Sequence, residues 1–102
     1  MGRLFRITKE LTEPEKLAKL VQKEQGLILG ECDPEDFDRK FFLIAIDKNG
    51  VMVTRNFTNS NLAIETAKIY WTKGFLVVNA FYFSKGENST LIQTIYWGLR
   101  NW

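Results

Sequence analysis

The stretch FFLIAIDKNGVMVTRNF, residues 41–57, constrains the fold more than any other part of the chain. Its first arm, Phe41 to Ile46, is apolar at every position. Its second, Val51 to Phe57, carries Thr54, Arg55 and Asn56 among apolar residues. Successive side chains of a strand point to opposite sides, so a strand with one wet face alternates polar and apolar. An unbroken apolar run of strand length therefore reads as a strand covered on both faces. The mixed arm reads as a strand nearer to water. Between them, DKNG suits a type I turn at Lys48 and Asn49, with Gly50 in the left-handed conformation. A two-residue turn on Asn49-Gly50 is the alternative, and it shifts the register by one residue. The first choice lets Asp47 accept a turn hydrogen bond and sets Ile44 and Ile46 against Thr54 and Met52.

The segments around this hairpin supply helices and further strands. Leu4, Phe5 and Ile7 suit a short first strand. TEPEKLAKLVQKEQG, residues 12–26, predicts a helix, with Thr12 as cap, Glu15 in capping-box position and Pro14 in the first turn. Leu17, Leu20, Val21 and Glu24 share one face of it, with Lys16, Lys19 and Lys23 largely on the other. Gly26 is a natural stop. LILGE, residues 27–31, then predicts a strand, and CDPEDFDRK, residues 32–40, a polar loop. TNSNLAIETAKIYWTKG, residues 58–74, is the clearest helix. Thr58, Asn59 or Ser60 can cap it, and Gly74 ends it. Ala63, Ile64, Ala67, Tyr70 and Trp71 form its apolar face. Leu62 and Ile69 add a second, partial one. FLVVNAFYF, residues 75–83, predicts a central strand interrupted only by Asn79. In the tail, Leu91, Ile95, Leu99 and Trp102 recur at helical spacing. Leu91, Ile95, Trp97 and Leu99 fit one face of a strand less well. The helix is preferred, with Gly98 as its weak point.

These elements assemble into one α+β domain over residues 1–102. A four- or five-stranded, mostly antiparallel sheet carries two or three helices packed mainly on one face, in the order β-α-β-β-β-α-β-α. The hydrophobic share of 45% and charged share of 25% suit a packed core rather than disorder.

Composition excludes several kinds of chemistry. The chain has no histidine and one cysteine, Cys32. Histidine-based zinc sites and Ser-His or Cys-His nucleophile pairs are therefore excluded, as is an intrachain disulfide. No glycine-rich phosphate loop is present. The acidic run ECDPEDFD lacks the calcium-loop pattern and reads as a solvated connection. The expectation is a protein that is not an enzyme and needs no cofactor. The amino-terminal stretch lacks the apolar core of a signal peptide, and no apolar run reaches the length of a membrane span, so a cytoplasmic location is expected.

Eight Phe, three Tyr and three Trp are many for 102 residues. Aromatic residues dominate interface hot spots, so the first functional expectation is a small protein-binding module. Its predicted contacts are Tyr96, Trp97, Leu99 and Trp102, with Arg55 at the rim. A symmetric homodimer through the carboxy-terminal segment is compatible with it. The Lys-, Ile-, Asn- and Phe-rich usage fits an AT-rich bacterial or phage genome, and an accessory protein that blocks a host factor is one concrete form. The alternative is a nucleic-acid-binding module using Arg3, Arg6, Lys16, Lys19, Lys23, Lys48 and Arg55, although a net charge of +2 is modest for phosphate-driven binding. A second alternative is a small-molecule site at Asn79, whose buried amide otherwise needs internal partners.

Overall fold

The computed structural model describes residues 13–100 and the backbone of residues 4–6. Strands β2 (Phe41–Ile46) and β3 (Val51–Phe57) form the expected hairpin. Ile44 lies opposite Thr54 and Ile46 opposite Met52. Gly50 takes φ 81°, in the left-handed region that its missing Cβ makes accessible. Its N–H donates to the Asp47 carbonyl at 3.0 Å, while the Asp47 carboxylate accepts from Asn49 and Val51 N–H at 2.9 Å each. The turn chemistry thus sets the register as read from DKNG.

Strands β1 (Leu4–Arg6), β4 (Val77–Lys85) and β5 (Thr90–Leu99) complete a five-stranded antiparallel sheet of order β1-β3-β2-β4-β5. β2 is its middle strand. Helix α1 (Pro14–Glu31) and a short 3-10 helix (Pro34–Arg39) precede the hairpin, and helix α2 (Ser60–Thr72) follows it. One core cluster joins Leu17, Val21 and Ile28 of α1 to Phe42, Ile44 and Ile46 of β2 and Val77 and Phe81 of β4. A second joins Ala63 and Ala67 of α2 to Leu43 and Ala45 of β2 and Val78 and Ala80 of β4. The two sets alternate along both strands, so they occupy opposite faces. This is why Phe41–Ile46 is apolar throughout.

The expectation of helices mainly on one face holds for α1 and the 3-10 helix, while α2 takes the other face. Topology explains the split. β1 and β2 run parallel with β3 between them, and β3 and β4 run parallel with β2 between them. Both helical connections step the same way across the sheet, but from strands of opposite direction. Crossovers between parallel strands are almost always right-handed, and two of one hand must then place their helices on opposite faces.

Three local expectations are corrected. Residues 27–31 are not a strand, and Gly26 does not end the first helix. α1 runs through both to Glu31, because Ile28 continues the buried stripe of Leu17, Val21, Glu24 and Gln25 at helical spacing. The residue at the N-cap is Glu13, which makes no side-chain capping bond, and Pro14 occupies the first turn as expected. Thr12 lies outside the described residues. Residues 32–40 are not loop throughout, since Pro34–Arg39 forms the 3-10 helix. The tail is not a helix. Thr90, Ile92, Thr94, Ile95, Tyr96 and Trp97 are β-branched or aromatic, and that content favours a pleated, half-buried strand.

α2 is built as its sequence indicates. Asn59 caps it, its side-chain oxygen accepting from Asn61 N–H at 2.7 Å, and Gly74 follows it at φ 95°. The fully buried Ala63 and Ala67 bring the helix close to the alanine-bearing face of β2 and β4. At the far end of the other face, Phe37 of the 3-10 helix packs on Phe83, whose ring also meets Phe42 and Phe81, all at 5.5 Å between centroids. Each such pair contributes about 0.5–1.5 kcal/mol beyond its burial.

Candidate protein-binding edge

Among the described residues β5 is an edge strand, with β4 as its one neighbour. Its sequence, TLIQTIYWGL, spans ten residues without a charge or a proline. Edge strands expose unpaired N–H and C=O groups, and proteins usually blunt them with lysines, prolines, shortness or a covering element. The opposite edge, β1, is three residues long and ends on Arg6. β5 has one such device, a bulge: Ala80 faces Tyr96 but Phe81 faces Thr94, which leaves Ile95 as the extra residue.

The bulge also sorts the side chains. Thr90, Ile92 and Thr94, then Trp97 and Leu99, lie on the α1 side of the sheet. Leu91, Gln93, Ile95, Tyr96 and Gly98 lie on the α2 side. On the α2 side the strand is firmly seated. The Trp71 ring rests directly on Gly98, where a Cβ would come within 2.7 Å of it. The Arg100 guanidinium lies 4.0 Å over the same ring, donates from Nε to the Phe75 carbonyl at 2.8 Å, and also donates to the Trp71 carbonyl. Among the described residues the strand is open on the α1 side. α1 packs on β2 and β4, and Ile92 and Trp97 remain 41% and 47% exposed.

Backbone directions follow from two bonds at the strand ends. Arg100 N–H donates to the Leu76 carbonyl, and the Ser89 carbonyl accepts from Gly86 N–H. Direction alternates residue by residue in an antiparallel ladder. With the bulge counted, Thr90, Ile92, Thr94, Trp97 and Leu99 aim their backbone N–H and C=O away from β4. The residues with outward backbone groups are also those with side chains on the open side.

Of the predicted protein contacts, Trp97 alone is both exposed and on this open side. Leu99 is half-buried against the α1-side core. Tyr96 is half-buried on the α2 side. Arg55 lies on the α2 side of β3, its guanidinium 5.1 Å above the Phe57 ring, away from the edge. Trp102 lies outside the described residues. Ile92 and Leu91, 41% and 46% exposed, were not among the predicted contacts. The signal that could have marked them is the absence of charge across the tail.

Among the described side chains the predicted basic contacts do not converge. Lys16, Lys19 and Lys23 are exposed on α1, on one side of the sheet, and Arg55 is exposed on the other. Lys48 is exposed in the hairpin turn. Arg6 belongs to β1, and Arg3 lies outside the described residues. Asn79 is fully buried. Its Oδ1 accepts from Gln25 Nε2 at 2.7 Å, and its Nδ2 donates to the Tyr96 carbonyl at 3.3 Å. The amide thus has its partners within the fold, which is the structural role weighed against a ligand site. Burial pushes the Cys32 thiol up, with Asp36 and Asp33 adding to the shift and Lys40 opposing it, so the thiolate form is disfavoured. Among the described residues no cluster of acidic or cysteine side chains could hold a metal ion, and no helix is long and apolar enough to cross a membrane. Comparison with protein-family models, curated proteins and solved structures finds no match to the chain.

Proposed function

We propose that the protein is a non-enzymatic protein-binding module that takes a strand of another chain along the outer edge of β5. The observation that carries this reading is the uncharged edge itself, ten residues long, open on the α1 side and bearing an exposed Trp97. Strand addition supplies affinity through main-chain hydrogen bonds and specificity through alternate side chains. Trp97 and Ile92 supply the apolar anchors beside that ladder. The lack of histidine and the disfavoured Cys32 thiolate support binding without chemistry. The separation of Arg55 from the lysines of α1 weakens a phosphate-binding reading.

The test uses Ile92→Pro. Ile92 directs its N–H away from β4, so proline there blocks an incoming strand without removing a bond inside the sheet. Wild-type and Ile92→Pro proteins, immobilised side by side, are expected to differ in the chain they retain, while both unfold cooperatively. A retained chain that binds both equally would overturn the edge as the site. Salt-sensitive binding of labelled oligonucleotides, lost on charge reversal of Lys16, Lys19 and Lys23, would replace the reading with a nucleic-acid one.

A further inference from the structure

Resting on that reading, we infer that the strand taken up at the edge is β5 of a second copy of this chain, related by a two-fold axis perpendicular to the sheet between Thr94 and Ile95. A two-fold interface must be self-complementary, and β5 meets that condition in three separate ways. The first is charge. With no ionic side chain over Thr90–Leu99, two copies meet without like-charge repulsion.

The second is backbone direction. In an antiparallel pair the hydrogen-bonded partners must both aim their N–H and C=O at each other. The outward residues of β5 are Thr90, Ile92 and Thr94 before the bulge, and Trp97 and Leu99 after it. An axis between Thr94 and Ile95 sets Ile92 against Trp97 of the other copy, and Thr90 against its Leu99. Every member of these pairs is an outward residue. Each pair occurs twice by symmetry, which gives roughly eight backbone hydrogen bonds.

The third is side-chain side. Directly opposed residues of paired strands project to the same face. Ile92, Trp97, Thr90 and Leu99 all lie on the α1 side, and the neighbouring pairs, Leu91 with Gly98 and Gln93 with Tyr96, all lie on the α2 side. The bulge makes this possible: it shifts the phase of the strand at the point where the axis falls. Thr94 and Ile95 at the axis are the one interruption of the ladder. The exposed Ile92 and Trp97 of each copy then cover one another on the side that α1 leaves open.

The experiment is sedimentation and disulfide trapping in a Cys32→Ser background. The wild-type chain is expected to sediment as a dimer whose population rises with concentration, and Ile92→Pro as a monomer. A mixture of Ile92→Cys and Trp97→Cys proteins is expected to cross-link between the two variants. Each alone is expected to cross-link far more slowly, since hydrogen-bonded partners stand about 5.5 Å apart, within disulfide reach, and identical residues do not face each other. A wild-type chain that stays monomeric throughout overturns self-pairing. So does a dimer indifferent to Ile92→Pro, or equal trapping by Ile92→Cys alone. If self-pairing fails while a chain sensitive to Ile92→Pro is still retained, the strand-binding reading stands without it. If both fail, the edge is not a binding site.

Discussion

At the scale of single residues, the buried Gln25–Asn79 pair shows how a polar group can lie in this core. Asn79 interrupts an apolar strand and is fully buried, yet α1 reaches its carbonyl through Gln25 and β5 receives its N–H at the Tyr96 carbonyl. Removing one partner leaves the other desolvated and unpaired, whereas removing both removes the need for pairing. Gln25→Leu is therefore expected to lower stability by roughly 1–3 kcal/mol. Gln25→Leu with Asn79→Leu is expected to lower it by less than the sum of the two single changes. Urea unfolding of the four proteins of this cycle measures the coupling. Strict additivity would mean that the 2.7 Å contact contributes no coupling in solution.

At the scale of elements, α1 shows that a glycine marks a helix end only if packing also stops there. Gly26 lies inside the helix, is exposed, and a Cβ built on it meets nothing within 4 Å. It carries the entropic penalty of glycine with no packing reason for it. Gly26→Ala is expected to stabilise the protein by about 0.5–1 kcal/mol, read as a higher urea midpoint at unchanged slope. A neutral or destabilising result would mean that the helix is broken at this residue. The same contrast separates what could be read from the chain from what could not. The hairpin and α2 were legible because local chemistry and burial agree in them: Asp47 and Gly50 shape the turn, Asn59 caps the helix, Gly74 follows it, and alanines face the sheet. Residues 27–31 misled because Gly26 signals an end that Ile28, still on the buried stripe, overrides. The tail misled because a spacing of four fits a helix and a strand alike, and the bulge sets Leu91 and Ile95 on one side of the sheet and Trp97 and Leu99 on the other, so that no single two-residue pattern runs through it. For the candidate site, Trp97 was visible as an aromatic near the chain end. The open edge was not, because edge position depends on strand order, and strand order is set by crossover geometry rather than by any local pattern.

At the scale of the molecule, the shared strands are decisive. The core is two apolar layers, and neither is independent, because β2 and β4 supply alternate residues to each. Leu17 of α1 and Leu43 of β2 are both fully buried, the first in the α1-side layer and the second in the α2-side layer. Leu17→Ala and Leu43→Ala are each expected to destabilise by about 2–5 kcal/mol, through lost burial and the cavity left behind. That is a large share of the 5–15 kcal/mol that holds a typical domain together. If the layers fold as one unit, each variant shifts a single transition. Fluorescence of Trp71, read in a Trp97→Phe, Trp102→Phe background, and far-UV circular dichroism then give one midpoint for both probes in both variants. If α1 and its layer could melt alone, Leu17→Ala would separate the probes, because α1 would lose helical signal while Trp71 on the opposite face kept its packing. Coincident midpoints are the expected outcome, since any opening of the α1 layer bares Ile44, Ile46, Val77 and Phe81 on the strands that hold α2 in place.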